Sequence, residues 1–305
     1  MHVAICALTL HRPAGLRALL DALAALDQPA AAELEVIIVD NDANRSAEPI
    51  VTTAALAMPF PLRYVVEPRR GIAEGRNRAV TVALDGGADF VAFIDDDEVP
   101  SPSWLVELLR VQAVSGADVV TGPVRPVFDQ PPPRWAVAGS FFERPRFATG
   151  TSLTYARTSN VLVSSTLLRE PWPPFDERFG RSGGEDTHFF MRARLAGART
   201  VWADEAVVDE LVPASRVSAG WLVRRAYRRG NTLSLCLRDL RDSWPNRGRR
   251  VVRAGVEVLL GSARLVASVV GGRRFAIAGA SQVAYGLGLA SGLVGIRYEE
   301  YRTTH

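Results

Sequence analysis

The chain has 305 residues, of which 48% are hydrophobic and 23% charged. That composition can bury a full core and, at this length, one large α/β domain plus an appendage, which excludes disorder as a starting point. The 36 basic residues, all of them arginine, stand against 33 acidic ones for a net charge of +3. Nothing global therefore points to nucleic acid, and a single arginine carries little weight by itself.

Residues 3–8 read as a buried strand that begins almost at the N-terminus, without the basic start, longer apolar stretch and small-residue cleavage site of a signal peptide. Cys6 within it and Cys236 far downstream lack the spacing for zinc, haem or a redox pair. Both features fit a reducing compartment, and the catalytic part is expected on the cytoplasmic side. Pro13 suits the first turn of a helix carrying Leu16, Leu19, Leu20, Leu23 and Leu26 on one face. Further apolar runs follow at 36–39, 62–66 and 90–94, with helical stretches at 73–84 and 104–114. The second of these helices is opened by Ser101 and Pro102 as cap and first-turn residues. Strand and helix signals in this order predict a mainly parallel sheet flanked by helices.

From Gly122 to Gly150 the pattern breaks into a stretch rich in proline and aromatics, including Trp135, Phe141 and Phe142, which reads as a long loop or lid. Order returns at 160–164, and after a loop a helix starts near Glu185 and stops at Gly197. The tail is different in character. Arg224, Arg225, Arg228, Arg229, Arg247, Arg249, Arg250 and Arg253 meet few acids, and after Arg273-Arg274 comes an uncharged run, 275–296. At about 22 residues it is long enough to cross a bilayer, and Gly288 with Gly292 makes a small-xxx-small pair suited to close helix packing. The expected division is therefore an α/β region, 1–215, and an Arg-rich helical region, 216–305, with 275–296 as the candidate membrane-associating segment.

The strongest chemical signal is Phe93-Ile94-Asp95-Asp96-Asp97-Glu98, an apolar strand delivering an acidic cluster. Ligands of open α/β sheets bind at the carboxyl ends of strands, and carboxylate oxygens are the hard ligands that Mg²⁺ or Mn²⁺ prefers. Asp95 and Asp97, one residue apart, can share a side of an extended chain. A solvated acidic turn is the plain alternative, but carboxylate repulsion there calls for a cation. Asp40-Asn41-Asp42 follows another apolar strand and reads equally as a nucleotide contact or as turn chemistry. Gly183-Gly184-Glu185-Asp186 places two acids at a helix start, where they either act on a reacting hydroxyl or simply complement the helix dipole.

The order of the first strand with Thr9 and Arg12, then Asp40, then Gly71-Ile72 with Arg76-Asn77, the Asp95-Asp96-Asp97 triplet and Gly184-Glu185-Asp186 resembles family 2 glycosyltransferases. The region from Glu185 through Arg192, with Arg216, Trp221 and Gly230-Asn231, is similar to bacterial exopolysaccharide glucosyltransferases of the succinoglycan type. The resemblance spans roughly residues 1 to 235. It implies a GT-A fold, a nucleotide diphosphate sugar donor with a UDP-sugar favoured, a divalent metal (Mg²⁺ or Mn²⁺), inversion at the anomeric carbon, and a glycan or lipid-linked acceptor at the inner face of the cell membrane. Carried over by position, Asp40 would contact the nucleoside base and Asp95 the ribose or metal. Asp97 would ligate the metal, and Thr9, Arg12, Arg76, Asn77 and Asp96 would line the donor pocket. Asp186 would be the general base, with Glu185 its neighbour or substitute. Where similar proteins carry a third acid this chain has His188, which reads either as a metal ligand or acceptor contact or as a packed histidine.

Two other classes compete. A nucleotidyltransferase of related topology needs similar carboxylates but presents a glycine-rich phosphate loop after its first strand, where this chain has Thr9-Leu10-His11-Arg12-Pro13. A noncatalytic membrane-associated scaffold would keep the fold without the chemistry, and the intact acidic triplet and Glu185-Asp186 pair argue against it.

Overall fold

The computed structural model describes residues 1–241 and 243–299. Two compact units emerge, both discontinuous in sequence: the first comprises Met1–Arg125, Arg144–Arg181 and His188–Glu210, and the second Pro126–Glu143, Ser182–Thr187 and the chain from Leu211 onward.

The first unit is built on one large sheet. Strand β1 (His2–Thr9) sends Val3, Ile5 and Ala7 to one side and Ala4 and Cys6 to the other, so it is buried on both faces and shows no polar alternation. Helix α1 (Pro13–Ala24) opens on a proline, as its first turn permits, and buries Leu16, Leu19, Leu20 and Leu23 against the first face. Strand β2 (Glu33–Asp40), helix α2 (Glu48–Ala55), strand β3 (Leu62–Val66), helix α3 (Ile72–Asp85), strand β4 (Phe90–Phe93), strand β5 (Glu98–Pro100) and helix α4 (Trp104–Ser115) follow. Helix α4 starts at Trp104 as expected, but its cap is not the expected one. Ser103, not Ser101, precedes it, no side chain caps it, and Ser101 instead accepts the Trp104 N–H through its carbonyl at 2.9 Å.

Next come β6 (Val119–Thr121), β7 (Val124–Phe128), α5 (Arg134–Ala138), β8 (Ser152–Leu153), β9 (Val161–Ser164), α6 (Ser165–Arg169), α7 (Glu185–Leu195), β10 (Thr200–Trp202), β11 (Val208–Val212), α8 (Ala219–Leu240) and α9 (Trp244–Leu293). The stretch 122–150, expected to be a loop throughout, thus contains strand β7 and the short helix α5. The large sheet runs β3-β2-β1-β4-β9-β6-β10-β8, and β5, β11 and β7 form a small second one. Strands β3, β2, β1 and β4 are mutually parallel, whereas β9 runs antiparallel between β4 and β6. Helices α1 and α4 pack on one face, and α3 with Phe189 and Phe190 of α7 on the other. This is the expected mixed, mainly parallel α/β architecture flanked by helices.

The second unit has its own small core, in which Phe142 stacks on Trp221 at 6.2 Å and both surround Ala136, Leu222 and Ile277. Helix α9 is long and apolar enough by length and composition to cross a membrane; an 18-residue window of it has a mean hydropathy of 1.5 and is 11% buried. It bends at Gly272 (φ 71°, ψ −164°), which a residue with a side chain would rarely adopt. Its second arm packs through glycines. A Cβ on Gly279 would lie 2.7 Å from the Gly261 carbonyl of the first arm, and one on Gly288 2.1 Å from the Tyr227 carbonyl of α8. Within the uncharged run 275–296, Ile277, Ala284 and Leu289 are buried, and most of the exposed apolar surface of α9 lies on the first arm.

Candidate functional site

Strand register sets the site in the first unit. Thr9 of β1 lies beside Asp40 of β2, and Phe93 of β4 beside Cys6, so the polar residues that follow these strands leave one end of the sheet together. Gly15 of α1 is required there: a Cβ would come within 2.4 Å of the Asp96 carbonyl oxygen.

The acidic turn alternates. The side chains of Asp95 and Asp97 are 40% and 20% exposed and that of Asp96 only 6%. Arg76, itself buried, reaches Asp95 at 3.1 Å, and Arg12 bridges Asp96 at 2.9 Å and Asp97 at 3.0 Å. Burial pushes the Asp96 carboxyl up to about 6, against the pull of the Arg12 charge and a hydrogen bond from Thr9. Glu98 is fully buried beneath the turn and accepts the Asp95 N–H at 2.9 Å; burial, aided by Asp95 and Glu210, pushes its carboxyl well above the usual range. Glu98 is a site residue that the sequence reading used only as part of the cluster. The open pair, Asp95 and Asp97, supplies hard oxygen ligands of the kind a divalent ion takes.

Asp40 is buried, and both its oxygens accept hydrogen bonds. Its Oδ1 accepts the Asp42 N–H at 3.0 Å, and its Oδ2 accepts the Ala47 N–H at 2.9 Å and the Tyr64 hydroxyl at 2.7 Å. These bonds tie Asp40 to the turn at the end of β2, where a contact to the nucleoside base was expected of it. Asp42, two residues on, differs: its buried Oδ2 accepts no hydrogen bond among the described residues and lies 3.7 Å from Nδ1 of the exposed His11. The Asn44 N–H holds the Asp42 carboxyl below the usual carboxylate range despite its burial.

Asn77 is likewise committed. It donates to the Phe175 carbonyl at 2.8 Å and accepts the Phe175 N–H at 3.0 Å, so it fixes a loop instead of lining open space. Asn41 works the same way, donating to the Glu67 and Arg69 carbonyls and accepting the Gly71 N–H. His188 is buried with its ring 5.1 Å from that of Phe179, and a ligand atom of Asp176 lies within 4.8 Å of one of its own.

Glu185 and Asp186 open α7 within the second unit. Glu185 is buried at 1% exposure, whereas Asp186 is half-buried and accepts the Thr187 N–H at 2.6 Å. Gly184 (φ 97°) before them leaves room for Thr232, whose Cγ2 would lie 2.1 Å from a Cβ.

Comparison with known proteins identifies the family. The model of glycosyl transferase family 2 matches residues 5–171, and the chain belongs to that family. Succinoglycan biosynthesis protein ExoM of Rhizobium meliloti (strain 1021) is 38% identical over 250 residues, which is 80% of this chain and 79% of that protein. Among solved structures, mannosyltransferase PcManGT from Pyrobaculum calidifontis, in complex with GDP-Man and Mn²⁺, aligns with a TM-score of 0.63 at 20% identity, covering 94% of this chain and 86% of that one. S. aureus TarS 1–349 in complex with UDP-GlcNAc aligns at 0.56 and 17% identity, covering 98% and 93%. Against the longer S. aureus TarS chain the TM-score is again 0.56 at 17% identity, with 95% of this chain and only 55% of that one covered. These likenesses establish the GT-A fold.

Proposed function

We propose that the chain transfers a sugar from a nucleotide diphosphate donor, a UDP-sugar in preference, to a glycan or lipid-linked acceptor during exopolysaccharide synthesis at the inner face of the membrane. The observation that carries this is the acidic turn Asp95–Asp97, half-open and framed by Arg12 and Arg76, at the same sheet end as the Asp40–Asp42 turn. The relation to ExoM supports the exopolysaccharide setting, and the UDP-GlcNAc complex of TarS supports the donor class. The β1 exit, Thr9-Leu10-His11-Arg12-Pro13, offers no glycine-rich phosphate loop and disfavours nucleotidyl transfer.

In this reading residues 1–215 hold the catalytic machinery and the helical region from 216 serves attachment. Asp95 and Asp97 would hold Mg²⁺ or Mn²⁺, which when bound offsets negative charge on the departing diphosphate. Thr9, Arg12, Arg76 and Asp96 shape the donor end. Oδ2 of Asp42 suits an N–H on a nucleobase edge, whereas the Asp40 oxygens already hold the end of β2 together. Asp186 takes the acceptor proton as the hydroxyl attacks, and one displacement with one base inverts the anomeric centre. The buried Glu185 supports it. A calorimetric panel of nucleotide sugars with Mn²⁺ tests the proposal: saturable, metal-dependent binding of a UDP-sugar is expected, and no binding across the panel would refute it.

A further inference from the structure

The first arm of α9 carries an apolar stripe that no described residue covers. Val252, Val256, Leu259, Val266, Val269 and Val270 are 66%, 46%, 71%, 75%, 89% and 94% exposed. Residues 252, 256, 259, 266 and 270 recur at helical spacing on one side, while Ala254 and Gly261 are buried on the other, toward the returning arm. At 1.5 Å per residue the stripe is about 30 Å long, and contiguous exposed apolar surface of this kind marks an interaction site.

Charge says what covers it. Arg247 and Arg249 precede the stripe, Arg273 and Arg274 follow it, and Arg264 lies exposed along its length. Glu257 is the sole acidic residue in α9, and it is held by Gln282 at 2.9 Å and Arg253 at 4.0 Å. Trp244, 85% exposed, stands at the start. An aliphatic face bordered by arginines fits an anionic lipid surface. A spanning orientation is disfavoured, because Arg253, Glu257 and Arg264 fall inside the run and Arg273-Arg274, at the hairpin turn, would have to traverse the hydrocarbon.

We infer that the first arm of α9 lies in the plane of an anionic bilayer surface, its valine and leucine stripe among the acyl chains and its arginines at the phosphates. The inference deepens the proposed function, on which it rests for the presence of a membrane-held acceptor, by naming the surface that brings the enzyme there.

The test is co-sedimentation of the full chain with vesicles of phosphatidylcholine alone and of phosphatidylcholine mixed with phosphatidylglycerol. The parent should bind the mixed vesicles and be released by salt. Leu259→Gln/Val266→Gln/Val270→Gln should weaken binding about tenfold or more, and Arg273→Gln/Arg274→Gln should weaken it severalfold and flatten the salt dependence. If the triple variant fails to fold, Val269→Asn/Val270→Asn repeats the measurement at the two most exposed positions. Nucleotide-sugar hydrolysis by the same preparations separates the two ideas. Its absence in the parent counts against the transferase reading alone, and parental hydrolysis with lost vesicle binding supports the inference. Vesicle binding by the stripe variants at the parental level overturns it. So does a parent that ignores both vesicles, including one that forms a dimer which the triple variant splits.

Discussion

Tyr64 donates its phenolic hydroxyl to Asp40 Oδ2 at 2.7 Å, and the same oxygen takes the Ala47 N–H, so β3 and the start of α2 are both tied to the end of β2. Asparagine at position 40 would turn an amide donor toward donors. Asp40→Asn is therefore expected to lower stability by about 2–3 kcal/mol in urea unfolding, since a buried group is left unsatisfied. Asp42→Asn should fold as the parent does and lose UDP affinity. Equal stability of Asp40→Asn and the parent would remove the structural role assigned to Asp40.

Asn77 makes a two-way bond with the Phe175 backbone, and Phe175 in turn packs edge-on against Phe93 at 5.7 Å. Asn77→Ala leaves a buried N–H and a buried carbonyl without partners. The expected cost is about 2–4 kcal/mol, visible as a lower melting temperature, with the donor KM of the folded fraction unchanged. A raised donor KM at parental stability would place Asn77 in the donor pocket after all.

Much of the first unit was legible because its strands are mainly apolar and its helices keep their period. Leu62–Val66 and the four leucines of α1 needed no tertiary information. Asp40 and Asp42 could not be told apart that way. Strand alternation puts both on the same side, and what separates them is Tyr64, 24 residues away, supplying a partner to only one. The bond between Asn77 and Phe175 was hidden for the same reason, the two being 98 residues apart. Helix α5 is too short for a periodic signal and begins after three prolines. In the tail the glycine pairs announced close packing, but which arm of α9 they bury depends on the bend at Gly272.

The open carboxylates of the acidic turn give a separate expectation. Asp97→Asn keeps the shape of the side chain and removes its charge, so Mn²⁺-dependent affinity for UDP should fall at least about tenfold while the melting temperature holds. Chelation of divalent ions should bring the parent down to the level of the variant. Metal-independent donor binding in the parent would show that Asp95 and Asp97 serve only their ion pairs with Arg76 and Arg12.

Burial ranks the two acids that open α7. Glu185 is shielded from solvent, whereas Asp186 is half-buried and has one oxygen fixed by the Thr187 N–H, which aims the carboxylate without occupying it fully. An acceptor hydroxyl can approach only the second of them. Asp186→Asn should leave UDP-sugar binding near the parental value and lower kcat by about 10²–10⁴-fold, the range associated with loss of a general base. Glu185→Gln should act mainly on stability and cost less turnover, because its carboxylate is enclosed. The stereochemical outcome is read independently by NMR of the first product formed, where inversion is expected for a single displacement. Parental turnover by Asp186→Asn, or a product that retains the anomeric configuration of the donor, would take Asp186 out of the reaction.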